Sequence, residues 1–270
     1  MHGGLMRDGR LRLVADVGNT ETVLGLVDDD LSVTHHWRVA TQTRRTVDEY
    51  QFLVAGLLAA SGVEVAQVQR AVVGSVVPAT TQVLAATFQR LVDGRVVVLG
   101  TDADARLPIR LDVEEPRTVG ADRIVNTLAA LRLYARDTVV VDLGTATTYD
   151  CITADGTFVG GVIAPGVSSG LDWLSTKAAR LPEVGFAPPA RVIGRRTDTC
   201  MQSGVFHGVV DAVEGMLTRI RTEWARDELL VVATGGYATV VAPHTPSVHR
   251  VEPYLTLKGL ALAGDELSRS

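Results

Sequence analysis

Lysine is nearly absent from this 270-residue chain: Lys177 and Lys258 are the only two, and the other basic side chains are arginines and histidines. No Gly-x-x-x-x-Gly-Lys-Ser/Thr loop can be drawn, so a phosphate site must work without a P-loop lysine. Cysteine is equally scarce, with Cys151 and Cys200 alone. Two thiols cannot build a metal cluster, and a reduced, cytoplasmic compartment is the default expectation. No apolar run reaches membrane-spanning length, which argues against a membrane protein. Positive charge is not in excess: the formal net charge is −5, which removes the electrostatic case for nucleic-acid binding. The histidines lack metal-ligand spacing, and no G-x-S-x-G elbow offers a serine nucleophile. Residues 1–10 are polar and rich in Gly and Arg. They lack the apolar core of a signal peptide and read as a flexible extension.

What is present is a chain 46% hydrophobic and 21% charged, the balance of a soluble globular protein, long enough for one large domain or two medium ones. Leu11–Val17 reads as an apolar strand, followed by strands at Thr22–Val27 and Leu31–Val39. Thr46-Val47-Asp48-Glu49 has the form of a capping box and opens a helix to about Ser61. Ala71–Val77 is a strand, Pro78 leads into a helix to about Val92, and Val96–Leu99 is a further strand. Thr101 to Arg117 reads as a loop, and Asp122–Tyr134 as a helix with Ile124, Leu128 and Leu131 on one stripe.

The order then begins again. Thr138–Leu143, Thr147–Thr153 and Phe158–Ile163 read as strands, Val167–Ala179 as a helix, and about Thr199 to Arg226 as a long amphipathic helix. Leu229–Ala233 is a strand ending in Thr234-Gly235-Gly236; a short helix, a short strand at Ser247–Val251 and a closing helix from Leu257 follow. A duplicated α/β fold is expected, with residues 11–119 as the N-terminal lobe and 120–255 as the connecting helix and C-terminal lobe. Residues 256–270 form a closing helix that packs back on the first lobe. The crevice between the lobes is the default ligand site.

The repeat has chemical content. Asp16-Val17-Gly18-Asn19-Thr20 and Asp142-Leu143-Gly144-Thr145 each end an apolar strand in Asp-x-Gly. A strand of this kind delivers a carboxylate and bare backbone N–H groups to one spot, as a phosphate–metal site needs. Either stretch alone also suits a plain β-hairpin turn; the coincidence of two favours phosphate binding. Thr234-Gly235-Gly236 permits close backbone approach to an adenine or ribose, or is simply a turn. Gly120-Ala121-Asp122-Arg123 opens a helix. There Asp122 either complements the helix dipole or takes a proton from a substrate hydroxyl. Thr197 reads most simply as an N-cap.

Taken together, these blocks resemble the type III pantothenate kinases, of the acetate and sugar kinase/Hsp70/actin superfamily. The resemblance runs from Leu11 to about Leu262. It takes in the two Asp turns, Gly120-Ala121-Asp122-Arg123-Ile124-Val125-Asn126, Gly160-Gly161-Val162-Ile163-Ala164-Pro165-Gly166, Met201-Gln202-Ser203-Gly204 and Ala233-Thr234-Gly235-Gly236. It implies two duplicated ribonuclease H-like lobes, the actin-like ATPase fold, with an interlobe cleft for ATP and substrate. It also implies phosphorylation of pantothenate to 4′-phosphopantothenate, the first step of coenzyme A synthesis. The carry-over makes Asp122 the proton acceptor. It puts Asp16, Val17, Gly18, Asn19, Thr20, Glu21, Thr22, Val23 and Thr145 against ATP, and Val113, Gly120, Ala121, Asp122, Arg123 and Thr197 against pantothenate. Asp142 would hold a monovalent cation (K⁺ or NH₄⁺), Asp16 would organise Mg²⁺, and a homodimer is implied. Val113 stands where the family often has Tyr, and Gly170 and Trp173 where it tends to have Ser and a small residue. Another small-molecule kinase of the superfamily, or a nucleotide-binding regulator without catalysis, are the alternatives.

Overall fold

The computed structural model describes residues 10–100, 106–177, 181–226 and 228–269. The flexible extension expected over residues 1–10 falls, save for Arg10, outside the described residues, as do the first part of the Thr101–Arg117 stretch and the end of the helix expected over Val167–Ala179. The described residues divide into two compact units. One comprises those up to Leu133 together with those from Tyr254 onward; the other is Tyr134–Pro253.

In the first unit, β1 (Leu11–Val17), β2 (Glu21–Val27), β3 (Val33–Ala40), β4 (Val68–Ser75) and β5 (Arg95–Leu99) form a sheet in the order β3-β2-β1-β4-β5. The hairpins β1–β2 and β2–β3 are antiparallel, and β4 and β5 are parallel to β1. Helices α1 (Val47–Ala60) and α2 (Pro78–Leu91) supply the crossovers that parallel pairing requires. The capping box at Thr46 is present: the Glu49 N–H donates to Thr46 Oγ1, and the Thr46 N–H donates back to the Glu49 carboxylate at 2.6 Å.

Side chains alternate across a strand, so the two faces of β1 have different fates. Leu13, Ala15 and Val17 enter a core with Tyr50, Val54 and Leu58 of α1 and Leu84 and Phe88 of α2. Val14 and Asp16 therefore face the other way, where α3 (Ala121–Leu133) and α7 (Leu255–Arg269) pack. Glycines make room there: a side chain at Gly25 or Gly74 would collide with Leu257 or Leu260 of α7. Asp265 of α7 is fastened to the sheet by Arg12, whose Nε donates at 2.9 Å, and by Arg70.

The stretch read as a loop from Thr101 to Arg117 contains a two-residue strand, β6 (Arg110–Leu111), and a 3₁₀ turn at Pro116–Thr118. Neither has the length or periodicity that would distinguish it from a loop in the sequence.

The second unit repeats the plan. Strands β7 (Thr138–Leu143), β8 (Ala146–Ile152), β9 (Thr157–Pro165), β10 (Leu230–Thr234) and β11 (Arg250–Val251) lie in the order β9-β8-β7-β10-β11, with β7–β8 and β8–β9 antiparallel and β10 parallel to β7. Position for position this is the strand order of the first unit. Helices α4 (Ser169–Lys177), α5 (Thr197–Trp224) and α6 (Ala238–Val241) complete it. Val139, Val141 and Leu143 enter a core with Phe206, Val213 and Leu217 of α5. Val140 and Asp142 consequently occupy the opposite face. The α5 helix starts at Thr197, with Arg196 as N-cap, so the N-cap expectation for Thr197 is corrected: Thr197 is already the first helical residue. Among the described residues, no helix is long and apolar enough to cross a membrane.

Candidate active site

In the first unit, β1 ends in Asp16 and turns at Gly18. The Gly18 N–H donates to Glu21 O at 2.9 Å, and a Cβ on Gly18 would come within 3.0 Å of that same oxygen. Asn19 and Thr20 at the tip are exposed, whereas Thr22 is buried. Asp122 lies in the first turn of α3, and its carboxylate folds back over Gly120, where a side chain would collide with it. The missing Cβ at Gly120 is what allows the acid to occupy that place.

These two carboxylates sense each other. Burial first, and then the charge of Asp122, push the pKa of Asp16 up to about 7. The Asp16 residue keeps a little accessible surface, but its carboxyl group is enclosed. A positive charge placed here would relieve both the desolvation and the repulsion. The donor set therefore fits a divalent cation. Among the described residues, no group of three or more His, Cys, Asp or Glu side chains could hold a metal. Such an ion would depend on one or two carboxylates with water and phosphate oxygens, the ligation that suits Mg²⁺.

The second unit builds a different surrounding for the same motif. The Gly144 N–H donates to Ala146 O at 3.1 Å, closing the turn after Asp142. A Cβ on Gly144 would lie 3.3 Å from Asp142 Oδ1, and one on Gly235 would collide with that atom and with the Leu143 backbone. Gly235 has φ +89°, and the Tyr237 N–H two residues on donates to Leu143 O at 3.1 Å. A Cβ on Gly166 would strike the carbonyl of Thr145, the exposed residue at the tip of the turn. Three glycine-bearing segments thus converge on Asp142 and Thr145. The Gly pair after β10 serves first as the backbone wall beside Asp142. The Asp142 carboxylate is the oxygen donor that this turn would offer a cation.

The structure therefore gathers Asp16, Gly18, Gly120 and Asp122 in one unit, and Asp142, Gly144 and Thr145 in the other. Val17, Glu21 and Val23 flank the first turn in the β1–β2 hairpin, with Asp16 opposite Val23 and Val17 opposite Thr22. Ala121 is buried and Arg123 half-buried beside Asp122; Val113 is half-buried before the 3₁₀ turn, and Thr197 is exposed. Gly170 lies against Val205 of α5, and Trp173 on α4 is 62% exposed, so neither enters a core. One residue that the sequence reading passed over, Thr41, hydrogen-bonds the first turn at two of its residues.

A family model described as type III pantothenate kinase matches residues 12–219. The chain is 42% identical over 250 residues to the type III pantothenate kinase of Moorella thermoacetica, covering 93% of this chain and 97% of that protein. It is 44% identical over 250 residues to the type III pantothenate kinase of Syntrophotalea carbinolica, covering 93% and 96%. Among solved structures it is similar to a ROK family glucokinase from Streptomyces griseus in complex with glucose and AMPPNP, with TM-score 0.52, 14% identity and coverage of 96% of this chain and 100% of that one. It is also similar to the activator of the 2-hydroxyisocaproyl-CoA dehydratase from Clostridium difficile with bound ADPNP, with TM-score 0.54, 9% identity and 96% of each chain covered. At such identities the structural likeness shows the fold alone: the duplicated α/β plan of actin-like ATPases and sugar kinases.

Proposed function

The chain belongs to the type III pantothenate kinase family, and we propose that it runs the family's reaction with Asp122 as the proton acceptor. The reaction is ATP-dependent phosphorylation of pantothenate to 4′-phosphopantothenate, the first step of coenzyme A biosynthesis. Phosphoryl transfer asks for positioning and charge neutralisation more than covalent chemistry. The observation that carries the residue assignment is the pair of carboxylates near the β1–β2 turn, Asp16 and Asp122, close enough for the charge of Asp122 to act on Asp16.

The division of labour follows from their surroundings. Asp122 sits at the N-terminus of α3, where the helix dipole favours a negative charge. It accepts the proton of the pantothenate primary hydroxyl as that oxygen attacks the γ-phosphorus. Asp16 is the carboxylate most in need of a counter-charge and would hold Mg²⁺, which supplies neutralisation of the phosphate oxygens when bound. Gly18, Asn19, Thr20 and the flanking residues from Asp16 to Val23 bind ATP through the β1–β2 turn, and Thr145 touches ATP from its own turn. Asp142, with the backbone at Gly144 and Gly235, would hold K⁺ or NH₄⁺, whose charge replaces that of the missing P-loop lysine. Val113, Gly120, Ala121, Arg123 and Thr197 contact pantothenate.

A homodimer in the cytoplasm completes the reading. Exposed large apolar side chains occur in both units, Phe52, Val76 and Val98 in the first and Ile163, Trp173, Val192, Ile193 and Val251 in the second, and a dimer would bury part of them. A coupled ADP-release assay with pantothenate, run with and without K⁺ and Mg²⁺, tests the whole. Pantothenate-dependent release that needs both cations is expected. Release without K⁺ overturns the cation assigned to Asp142, and release driven instead by a sugar or another acid overturns the acceptor.

A further inference from the structure

Thr41 is the first residue after β3, and it lies 19 to 23 residues along the chain from the turn it touches. Its N–H donates to Thr20 O at 2.9 Å. Its hydroxyl donates to Gly18 O at 2.8 Å and stands 2.9 Å from Thr22 Oγ1. A threonine hydroxyl has one proton to give. Since that proton goes to Gly18 O, the Thr22 hydroxyl donates to Thr41, and the three groups form a directed chain from Thr22 to Thr41 to the Gly18 carbonyl.

The consequence lies in the peptide planes. In a trans peptide the C=O and the N–H of the next residue point in opposite directions. The Gly18 carbonyl is turned toward Thr41, so the Asn19 N–H is turned away from it. The Thr20 carbonyl is likewise turned toward Thr41, so the Glu21 N–H is turned away. The Gly18 N–H, meanwhile, is occupied by Glu21 O. One side chain and one backbone N–H of Thr41 thus set the orientation of the first and third peptide groups of the Gly18–Glu21 turn. Backbone N–H groups aimed the same way form an anion-binding concavity.

We propose that Thr41 is a positioning residue for ATP, fixing the direction in which the Gly18–Glu21 turn presents its N–H groups to the phosphates. The inference rests on the reading of Asp16–Val23 as the ATP turn. Valine at position 41 keeps the shape and the backbone bond but removes the hydroxyl, leaving the Gly18 carbonyl free to rotate. Serine keeps the hydroxyl. Thr22→Val removes the proton delivered to Thr41.

The test is steady-state kinetics on the full chain with each substrate varied separately, alongside thermal melts. Thr41→Val is expected to raise KM for ATP by about tenfold, with KM for pantothenate unchanged within about twofold. Thr41→Ser is expected to restore the ATP value to within about twofold of wild type. Thr22→Val is expected to raise KM for ATP by roughly two- to fivefold, and the Thr22→Val/Thr41→Val double variant to do no worse than Thr41→Val alone, because both break one chain. Equal rises in both KM values, a Ser variant no better than Val, or a loss that follows melting temperature alone overturns the proposal. If Thr41→Val does not fold, the Thr22→Val and Thr41→Ser measurements decide by the same criteria. Asn19→Ala separates the two levels of the argument. If it raises KM for ATP and Thr41→Val does not, Thr41 has no positioning role although the turn binds ATP. If neither does, the ATP reading of the turn itself falls.

Discussion

At the end of β1, Asp16 meets a second carboxylate; at the end of β7, Asp142 meets glycine backbone. Both strands deliver their Asp by the same device, an apolar strand whose odd positions fill a helix-covered core while the Asp faces the other side. The surroundings then separate the two. In the first unit the opposing element is the N-terminus of α3, which brings Asp122 and raises the proton affinity of Asp16. In the second it is the turn after β10, whose Gly235 admits no side chain. Duplication has supplied two identical frames, and the segment opposite each Asp decides what the frame does. One holds a pair of carboxylates, the other a carboxylate walled by backbone.

The sharpest way to break that contrast is at the carboxylate pair. Asp122→Asn is expected to lower kcat by a factor on the order of 10²–10⁴ while leaving ATP binding largely intact. Single-turnover kinetics and nucleotide titration read the two effects separately. Retained turnover would show that the first frame carries no base and would erase its difference from the second.

The next effect is on stability, in protein free of metal and nucleotide. Burial first, and then the charge of Asp122, push the Asp16 carboxyl up to about 7 in the folded state, from its ordinary value of 3.8. Between those values the folded state binds the extra proton, so stability falls as pH rises through this window and is lowest above about 7. The shift corresponds to about 4 kcal/mol at most. Asp16→Asn should therefore raise the denaturation midpoint at pH 8 and gain little at pH 4. Mg²⁺ should narrow the difference at pH 8. An Asn variant no more stable than wild type at pH 8 would mean that neither burial nor the charge of Asp122 burdens an ionised Asp16.

Much of this arrangement was legible in the residues themselves. The bounds of β1 and β7 coincide with the apolar runs Leu11–Val17 and Thr138–Leu143, because a strand buried on both faces leaves no doubt about its hydrophobic length. The Thr46 capping box is read from four residues because all its partners are local. Thr41 was not legible: its partners are brought to it by the antiparallel return of β3, and nothing in its own neighbourhood marks it. Thr197 misled for a related reason. A hydroxyl residue just before an amphipathic run suits either the N-cap or the first turn, and the backbone places Arg196 at the cap. The pairing of Asp16 with Asp122 depends on which face α3 covers. Helical periodicity shows that α3 has a buried stripe but not what lies against it.

Gly235 probes the other side of the comparison. Alanine there must adopt φ +89° and collide with Asp142 Oδ1 and the Leu143 backbone. A loss of about 1–3 kcal/mol is expected from the backbone strain alone. Activation by K⁺ should weaken as Asp142 is pushed aside, while KM for ATP at the first turn is predicted to respond less. Read by denaturant melts and a K⁺ titration of activity, an unaltered K⁺ response would detach Gly235 from the cation site.

The smallest effect compares the two turn glycines directly. Neither Gly18 nor Gly144 has a positive φ, so neither is required by backbone conformation. They differ in room: a Cβ on Gly18 would lie 3.0 Å from Glu21 O, whereas on Gly144 it would lie 3.3 Å from Asp142 Oδ1 and 3.7 Å from Ala146 O. Replacing glycine by alanine at an unstrained position stabilises by about 0.4–1 kcal/mol through the unfolded chain. At Gly144 the nearest atom, a side-chain oxygen, lies 3.3 Å away and the nearest backbone oxygen 3.7 Å away, so Gly144→Ala should fall within about 0.5 kcal/mol of wild type. At Gly18 the neighbour is a backbone carbonyl already bonded to the Gly18 N–H, and it cannot retreat without opening the turn. Gly18→Ala should therefore cost about 1 kcal/mol net, with a rise in KM for ATP. Urea midpoints at matched m-values decide the order. If Gly144→Ala proves the more costly, the second turn is the more tightly held of the two, and the rigid frame for phosphate belongs at Asp142 instead of Asp16.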